Sequence, residues 1–419
     1  MVEKPYDWTE GAKLEEHTKR KHKIVRQYVA DYLQIRCQLP QQERFRIAIV
    51  DAFAGGGRYK NGEPGSPLIF IEELRRASIA FNADRLAQNL RPIEIECLLI
   101  LNELEPKVLD FLKSIVAPQE IQARQEAPKL HLRVEYLNHP FEAGYPLFKE
   151  MLARGGYRNV LFNLDQCGHS HVERETLIDI MRSYPRAEVI YTFMIEALLT
   201  FLQKAAPDRL RRQLSYLDLG VDVLQRLEGG MISNTAWLGG AEKIVFEAFY
   251  GCAPFVSPFA IHNPTGWRYW LIHFANSYRA RQAYNNVLHD NKNAQAHFGR
   301  LDLNMMSYDP TKEGQLYLFD ETGRATAKSQ LLVDIPRNIA EHGDAIGVGE
   351  FYAGIYNTTP AHSDDINTAI IESEDVEVIT PAGGVRRVGH AIETGDTIKL
   401  RAQRSFFPMF LNAKGRPQS

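Results

Sequence analysis

Apolar residues recur at helical spacing near the start of the chain, at Ile24, Val25, Tyr28, Val29, Tyr32, Leu33 and Ile35, and predict an amphipathic helix over about 18–35. The opposite face carries Lys19, Arg20, Lys21, Lys23 and Arg26, which reads first as a solvated face and second as a surface facing a polyanion. Arg46 to Val50 is then a short apolar run that stops at Asp51 and a glycine-rich turn, the pattern of a buried parallel strand. Ser66-Pro67 opens a helix, with the serine expected as N-cap and the proline in the first turn. Further apolar runs at Ile95–Leu101, His131–Tyr136, Val160–Leu164 and Glu188–Phe193 predict four more strands, with helices over about 106–115 and 173–181. Two later runs, Pro254–His262 and Trp267–Phe274, flank Asn263-Pro264-Thr265-Gly266 and read as an antiparallel hairpin closing the same sheet.

Strands that alternate with helices and end in polar residues describe an α/β fold, a doubly wound, seven-stranded sheet. A helical insertion is expected over about 196–250, and a helix over about 279–289 finishes a large domain placed at 1–305. The polar, poorly periodic stretch 306–337 reads as a linker. Over 338–405 the order is helix, turn, helix and then a β-hairpin, with strands at 376–379 and 385–388 around Thr380-Pro381-Ala382-Gly383-Gly384. That is the order of a winged helix. Residues 406–419 form a tail, and Thr380–Ser419 holds seven Lys/Arg against two Asp/Glu.

Composition narrows the classes. The 419 residues are 44% hydrophobic and 24% charged, with a formal net charge of −3. A uniformly basic nucleic-acid binder is excluded, while a local basic face is not. No apolar run reaches the roughly 18–20 residues that span a bilayer, and the first residues lack the layout of a signal peptide, so a soluble, cytoplasmic protein without membrane partners is expected. Cys37, Cys97, Cys167 and Cys252 are far apart and form no CxxC pair, so neither a metal centre nor a disulfide framework is expected.

The most informative string is Asp51-Ala52-Phe53-Ala54-Gly55-Gly56-Gly57, a candidate cofactor turn in which glycine lets backbone approach a ligand. A nicotinamide fingerprint would place its acid about 20 residues after the glycines. Here the acid comes first, which suits S-adenosylmethionine better than NAD. Glu103, at the end of the second strand, can accept both ribose hydroxyls, with Glu105 its competitor. Asn138 is either an adenine contact or a turn asparagine. Asp165-Gln166-Cys167 follows the fourth strand, where doubly wound enzymes place reacting groups. Asp165 could orient a substrate amine or act as a base. Cys167 is either a nucleophile or, more simply, a buried thiol. His169 and His171 resemble a fragment of a metal site with no third ligand, or plain loop histidines.

These strings resemble the three-Cys-motif partner family, a branch of the class I adenosylmethionine-dependent methyltransferases. The matching pieces are His17-Thr18 with Lys21-His22, Asp51-x-Phe53-Ala54-Gly55-x-Gly57-x-Tyr59, Gly62-x-x-Gly65-Ser66-Pro67, Asn102-Glu103 and Tyr269-Trp270-Leu271-Ile272 through Asn276. The resemblance implies a methyltransferase-like domain that binds S-adenosyl-L-methionine, a winged-helix domain, and a separate partner protein with a three-cysteine, radical-enzyme-like motif. It places Asp51, Gly55 and Gly57 along the methionine moiety, Glu103 at the ribose and Asp165 at the catalytic position. One departure stands out. Where the family has Asp-Pro-aromatic-Gly, this chain has Gln166 and Cys167, so the ring that stacks on an extruded base is missing unless another residue, such as Tyr59 or Phe193, supplies it. The expected function is methyl transfer to nucleic acid, DNA foremost, delivered by Arg386 and Arg387 on the wing. The alternative is a degenerate cofactor-binding scaffold whose winged helix binds DNA or protein.

Overall fold

The computed structural model describes residues 8, 12–166, 170–195, 215–217, 245–261, 269–292, 294–297 and 316–401. Most of the expected helical insertion, the hairpin turn at 262–268 and the tail 406–419 lie outside the described residues. The chain divides into two compact units, Met1–Val287 and Leu288–Ser419.

The first unit opens with α1 (Glu16–Cys37), β1 (Arg44–Asp51), α2 (Ser66–Ala87), β2 (Glu94–Asn102), α3 (Pro106–Glu126), β3 (Leu130–Leu137) and α4 (Phe141–Gly155). It continues with β4 (Asn159–Leu164), α5 (Arg174–Ser183), β5 (Arg186–Phe193), β6 (Phe255–Ile261), β7 (Tyr269–Ala275) and the start of α6 (Tyr278–Asn291). Its strands lie in the order β3-β2-β1-β4-β5-β7-β6. The first five are mutually parallel, while β7 runs antiparallel to both β5 and β6.

Both faces of this sheet are covered, which is why the strands read as continuous apolar runs rather than alternating ones. Ala48, Val50, Phe162 and Tyr191 pack with Phe148 and Leu152 of α4 and Leu177 and Ile180 of α5. The intervening Ile47 and Ile49 are also fully buried. The sequence reading passes over α4, although Phe141, Tyr145, Phe148 and Leu152 are buried at helical spacing, because Gly144 and Pro146 interrupt the signal. Gly65 rather than Ser66 is the N-cap of α2, which frees the Ser66 side chain for the carboxylate at the end of β1.

The second unit contains β8 (Ala294–His297) paired with β9 (Leu316–Leu318), α7 (Glu321–Glu341), β10 (Ala345–Gly347), α8 (Val348–Ile355), α9 (Ser363–Glu372), β11 (Val376–Ile379) and β12 (Thr397–Leu400). The antiparallel sheet order is β10-β12-β11. The expected linker over 306–337 is corrected by α7. Its Asp320 caps the helix by accepting from the Gly323 N–H at 2.8 Å, and Ala327, Leu331, Ile335 and Ile339 make one buried stripe. That stripe is narrow and partly alanine, so the surrounding polar residues mask it. The expected hairpin is present but short: Val385 bridges Ile379, the Arg386 N–H donates to the Val378 carbonyl at 2.9 Å, and β11 pairs along its length with β12 instead.

Within the first unit, α1 is fastened by a buried polar seam. The Tyr28 hydroxyl donates to Glu188 of β5 and lies 2.9 Å from His273 Nε2 of β7, all three being almost fully buried. Arg36 at the end of α1 adds an ion pair to Glu188 at 3.6 Å. Removing the hydroxyl leaves a buried carboxylate and imidazole short of a partner. Tyr28→Phe should therefore cost about 1–3 kcal/mol in urea unfolding. An unchanged midpoint would show that the seam does not hold α1.

Candidate functional site

In a parallel sheet, ligands bind outside the strand C-termini where the strand order reverses. Here the reversal lies between β1 and β4, whose register sets Asp51 beside Asn163. Asp51 is fully buried. Its Oδ1 accepts from Asn163 Nδ2 at 2.9 Å, and Ser66 supplies a further hydrogen bond. Its Oδ2 is buried and has no partner among the described residues. Burial pushes the carboxyl up to about 7, against the pull of the Ser66 and Asn163 hydrogen bonds.

Asp165 follows β4 by one residue, and both its oxygens lie 2.5 Å from Lys21 Nζ of α1. Burial alone would raise this carboxyl. The Lys21 ammonium and its hydrogen bonds outweigh that and hold it below the usual aspartate range. Lys21 is 7% exposed, so the expected solvated basic face is corrected at this position. Arg26 likewise pairs with Glu72 and Glu73 of α2. The signal for Lys21 was present: it precedes Val25 by four residues and Tyr28 by seven, which puts it on the buried stripe. Two α1 histidines flank it. Burial, then the Lys21 charge, pushes His17 down to about 4 and His22 down to about 3. The His17 ring stacks on Tyr269 of β7 at 4.2 Å.

The glycine turn is built as expected but for a different reason. Gly55 and Gly57 have φ of +58° and +76°, a region that favours glycine. The Trp8 indole lies against this turn. A Cβ on Gly55 would come 2.7 Å from Trp8 Cζ2, and one on Gly56 would come 2.6 Å from Trp8 Cε3. A Cβ on Gly57 would meet Leu112 Cδ1 at 2.7 Å. The chain's own packing therefore requires these glycines, whatever a ligand needs. Ala54 is buried and its N–H donates to the Asn102 carbonyl, and Phe53 packs near Phe141 and His171.

Glu103 sits at the end of β2 as placed by the sequence, with Oε2 accepting from the Gly55 N–H at 2.9 Å and Oε1 from the Glu105 N–H at 3.0 Å. Asn138 is a turn asparagine. Its Nδ2 donates to the Glu103 and Leu104 carbonyls at 2.7 Å each, and the side chain is exposed. Asn102, which the sequence reading left without a role, ties the loops together by donating to the Ala52 and His139 carbonyls.

The Gln166 reading as a reacting group is also corrected. Its side chain is buried, donating to the Tyr191 hydroxyl at 2.6 Å and accepting from the His171 N–H. Cys167 and His169 lie outside the described residues. Of the two rings considered for stacking, Phe193 is fully buried against Phe249 and Trp270, and Tyr59 lies beside Trp8 and His22. Among the described residues no cluster could hold a metal, and Cys37, Cys97 and Cys252 are free and buried. No described helix is long and apolar enough to cross a membrane.

In the second unit, Arg386, expected as a nucleic-acid contact, is tied to carboxylates of its own unit. Its guanidinium forks onto Asp396 at 2.9 and 3.1 Å and reaches Glu393 at 3.3 Å. Arg387, Lys399 and Arg401 are exposed. From Asn338 to Val385 there is no Lys or Arg and there are nine Asp/Glu, so α9 presents no cation to a phosphate.

The buried groups set opposing pH slopes. His17 and His22 stay neutral in the fold while the unfolded chain takes up protons below about 6.5, so their contribution falls as pH falls. Asp51 has the opposite sign: it holds its proton up to about 7 while the unfolded chain loses it near 3.8, so its contribution falls as pH rises between those values. Asp51→Asn should therefore gain stability over the parent by roughly 2 kcal/mol between pH 5 and pH 7. Urea unfolding at both values checks this, and a pH-independent difference would place the Asp51 carboxylate outside the buried site.

Residues 307–383 match the family described as a GMT-like wHTH domain, a winged helix-turn-helix match that starts within the expected linker. No curated protein matches the chain.

Proposed function

We propose that the first unit is a class I methyltransferase-like domain that binds S-adenosylmethionine and that the protein transfers methyl groups. The observation that carries this reading is the strand order β3-β2-β1-β4-β5-β7-β6 with β7 antiparallel. A doubly wound nicotinamide sheet runs 3-2-1-4-5-6 with no such reversed strand. The acid-first turn at Asp51 and the acid at the end of β2 support the same reading, and the orphaned Asp51 Oδ2 fits a ligand ammonium. When bound, adenosylmethionine supplies the electrophilic methyl group. The chain's part is to hold and orient: Asp51 and Glu103 face the cofactor's polar ends, and Asp165 fixes the direction of whatever approaches along β4.

A second reading is favoured by one specific observation. Both oxygens of Asp165 are engaged by Lys21, so an acceptor amine must displace an ammonium held in a bidentate pair. On that reading the domain binds cofactor without turnover.

Calorimetric titration separates these. Adenosylmethionine should bind with micromolar affinity and NAD should not, and a labelled-methyl screen then distinguishes turnover from binding alone. Absence of binding by any adenosine nucleoside would overturn the cofactor assignment.

The winged helix-turn-helix is a fold used for nucleic-acid binding, and we assign it that role here through the wing side rather than α9. Of the exposed cations described on this side, Arg387 and Lys399 are the pair we assign to phosphate. Replacing both with alanine should weaken duplex DNA binding several-fold and lower the salt slope by about one per residue, read by fluorescence anisotropy. Unchanged affinity would remove the wing from DNA contact.

A further inference from the structure

This inference rests on the cofactor reading above and extends it to a residue that the reading leaves without a ligand role. We propose that Lys21 completes a clamp for the amino-acid end of the cofactor, its ammonium taking the carboxylate while Asp51 takes the amino group.

Three observations converge. First, Lys21 is a cation held in place: it is 7% exposed, sits on a helix and is fixed by both oxygens of Asp165. An ammonium has three N–H donors, and among the described residues only Asp165 accepts from it, so one donor remains. Second, Asp51 Oδ2 is a fully buried acceptor with no described donor, at the same end of the sheet and close enough to Lys21 and Asp165 to feel both charges. A buried orphan acceptor and a buried donor with a spare proton at the ends of neighbouring strands are each costly in isolation and suit a ligand that carries both opposite groups. Third, the charges balance. Lys21, Asp165 and an ionised Asp51 sum to −1, and the nearby His17 and His22 are neutral. Adenosylmethionine carries an ammonium, a sulfonium and a carboxylate, which sum to +1. At the amino-acid end the charges therefore cancel, as a poorly solvated site requires.

The competing explanation is that Lys21 only fastens α1 to the sheet. The two differ in which ligand atoms the protein can sense. Titrations of the full chain should use adenosylmethionine, its decarboxylated analogue and methylthioadenosine, which lacks the whole amino-acid end. The clamp predicts that loss of the carboxylate weakens binding about ten- to a hundredfold in the parent protein. In Lys21→Met that ratio should fall to about one, with methylthioadenosine affinity unchanged. Equal affinity of the parent for adenosylmethionine and its decarboxylated analogue overturns the clamp, and this comparison needs no variant, so misfolding of Lys21→Met cannot obscure it. A ratio retained in a folded Lys21→Met overturns it equally. Failure of every ligand, methylthioadenosine included, is instead the failure of the cofactor reading.

Discussion

The contact of α1 with the interior strands β5 and β7 and with the end of β4 is the constraint on which the candidate site depends. Lys21 and Asp165 are charges removed from bulk water, and such a pair offsets its desolvation only when the geometry is good and the remaining lone pairs are satisfied. The bidentate approach and the Thr192 hydrogen bond to Asp165 meet that condition. Further along the same helix, Tyr28 and Arg36 engage Glu188. Breaking one partner of either set strands the other in a place where water cannot replace it. α1 therefore has a fixed rotation and register, and the position of Lys21 follows from them.

Much of the architecture was legible because the strands are buried on both faces and end in Asp51, Asn102 and Leu164, followed by polar loops. Their boundaries agree with the apolar runs to within two residues. What escaped the sequence was of two kinds. α4 and α7 were hidden where glycine, proline or alanine thinned the apolar stripe. Side-chain pairings were hidden because they join distant positions: nothing in the local string around Arg386 announces that Asp396 and Glu393 capture it, and Asn138 looks the same whether it faces a ligand or the carbonyl of Glu103. Conversely, the Asp51 turn was legible as a turn, while its glycines answer to Trp8 and Leu112 as much as to any ligand.

The second unit shows how fold and surface chemistry can part. The helix order and the sheet β10-β12-β11 are those of a winged helix, yet its helix-turn-helix stretch lacks Lys and Arg from Asn338 to Val385. Phosphate attraction dominates nucleic-acid affinity, so a helix with Asp364 in its first turn repels a duplex that approaches it end-on. The wing and β12 keep Arg387, Lys399 and Arg401 exposed. Any nucleic acid held there is gripped by its backbone, with little reading of base edges.

The seam that holds α1 also orders events during synthesis. Lys21 waits 144 residues for Asp165, and Tyr28 waits 160 for Glu188 and 245 for His273. At translation rates of about 5–20 residues per second, the helix precedes its last partner by roughly ten to fifty seconds. α2 reaches the helix much sooner, through Glu72 and Glu73 on Arg26, but until Asp165 is made Lys21 lacks its carboxylate. This helix is thus secured in part by strands made long after it.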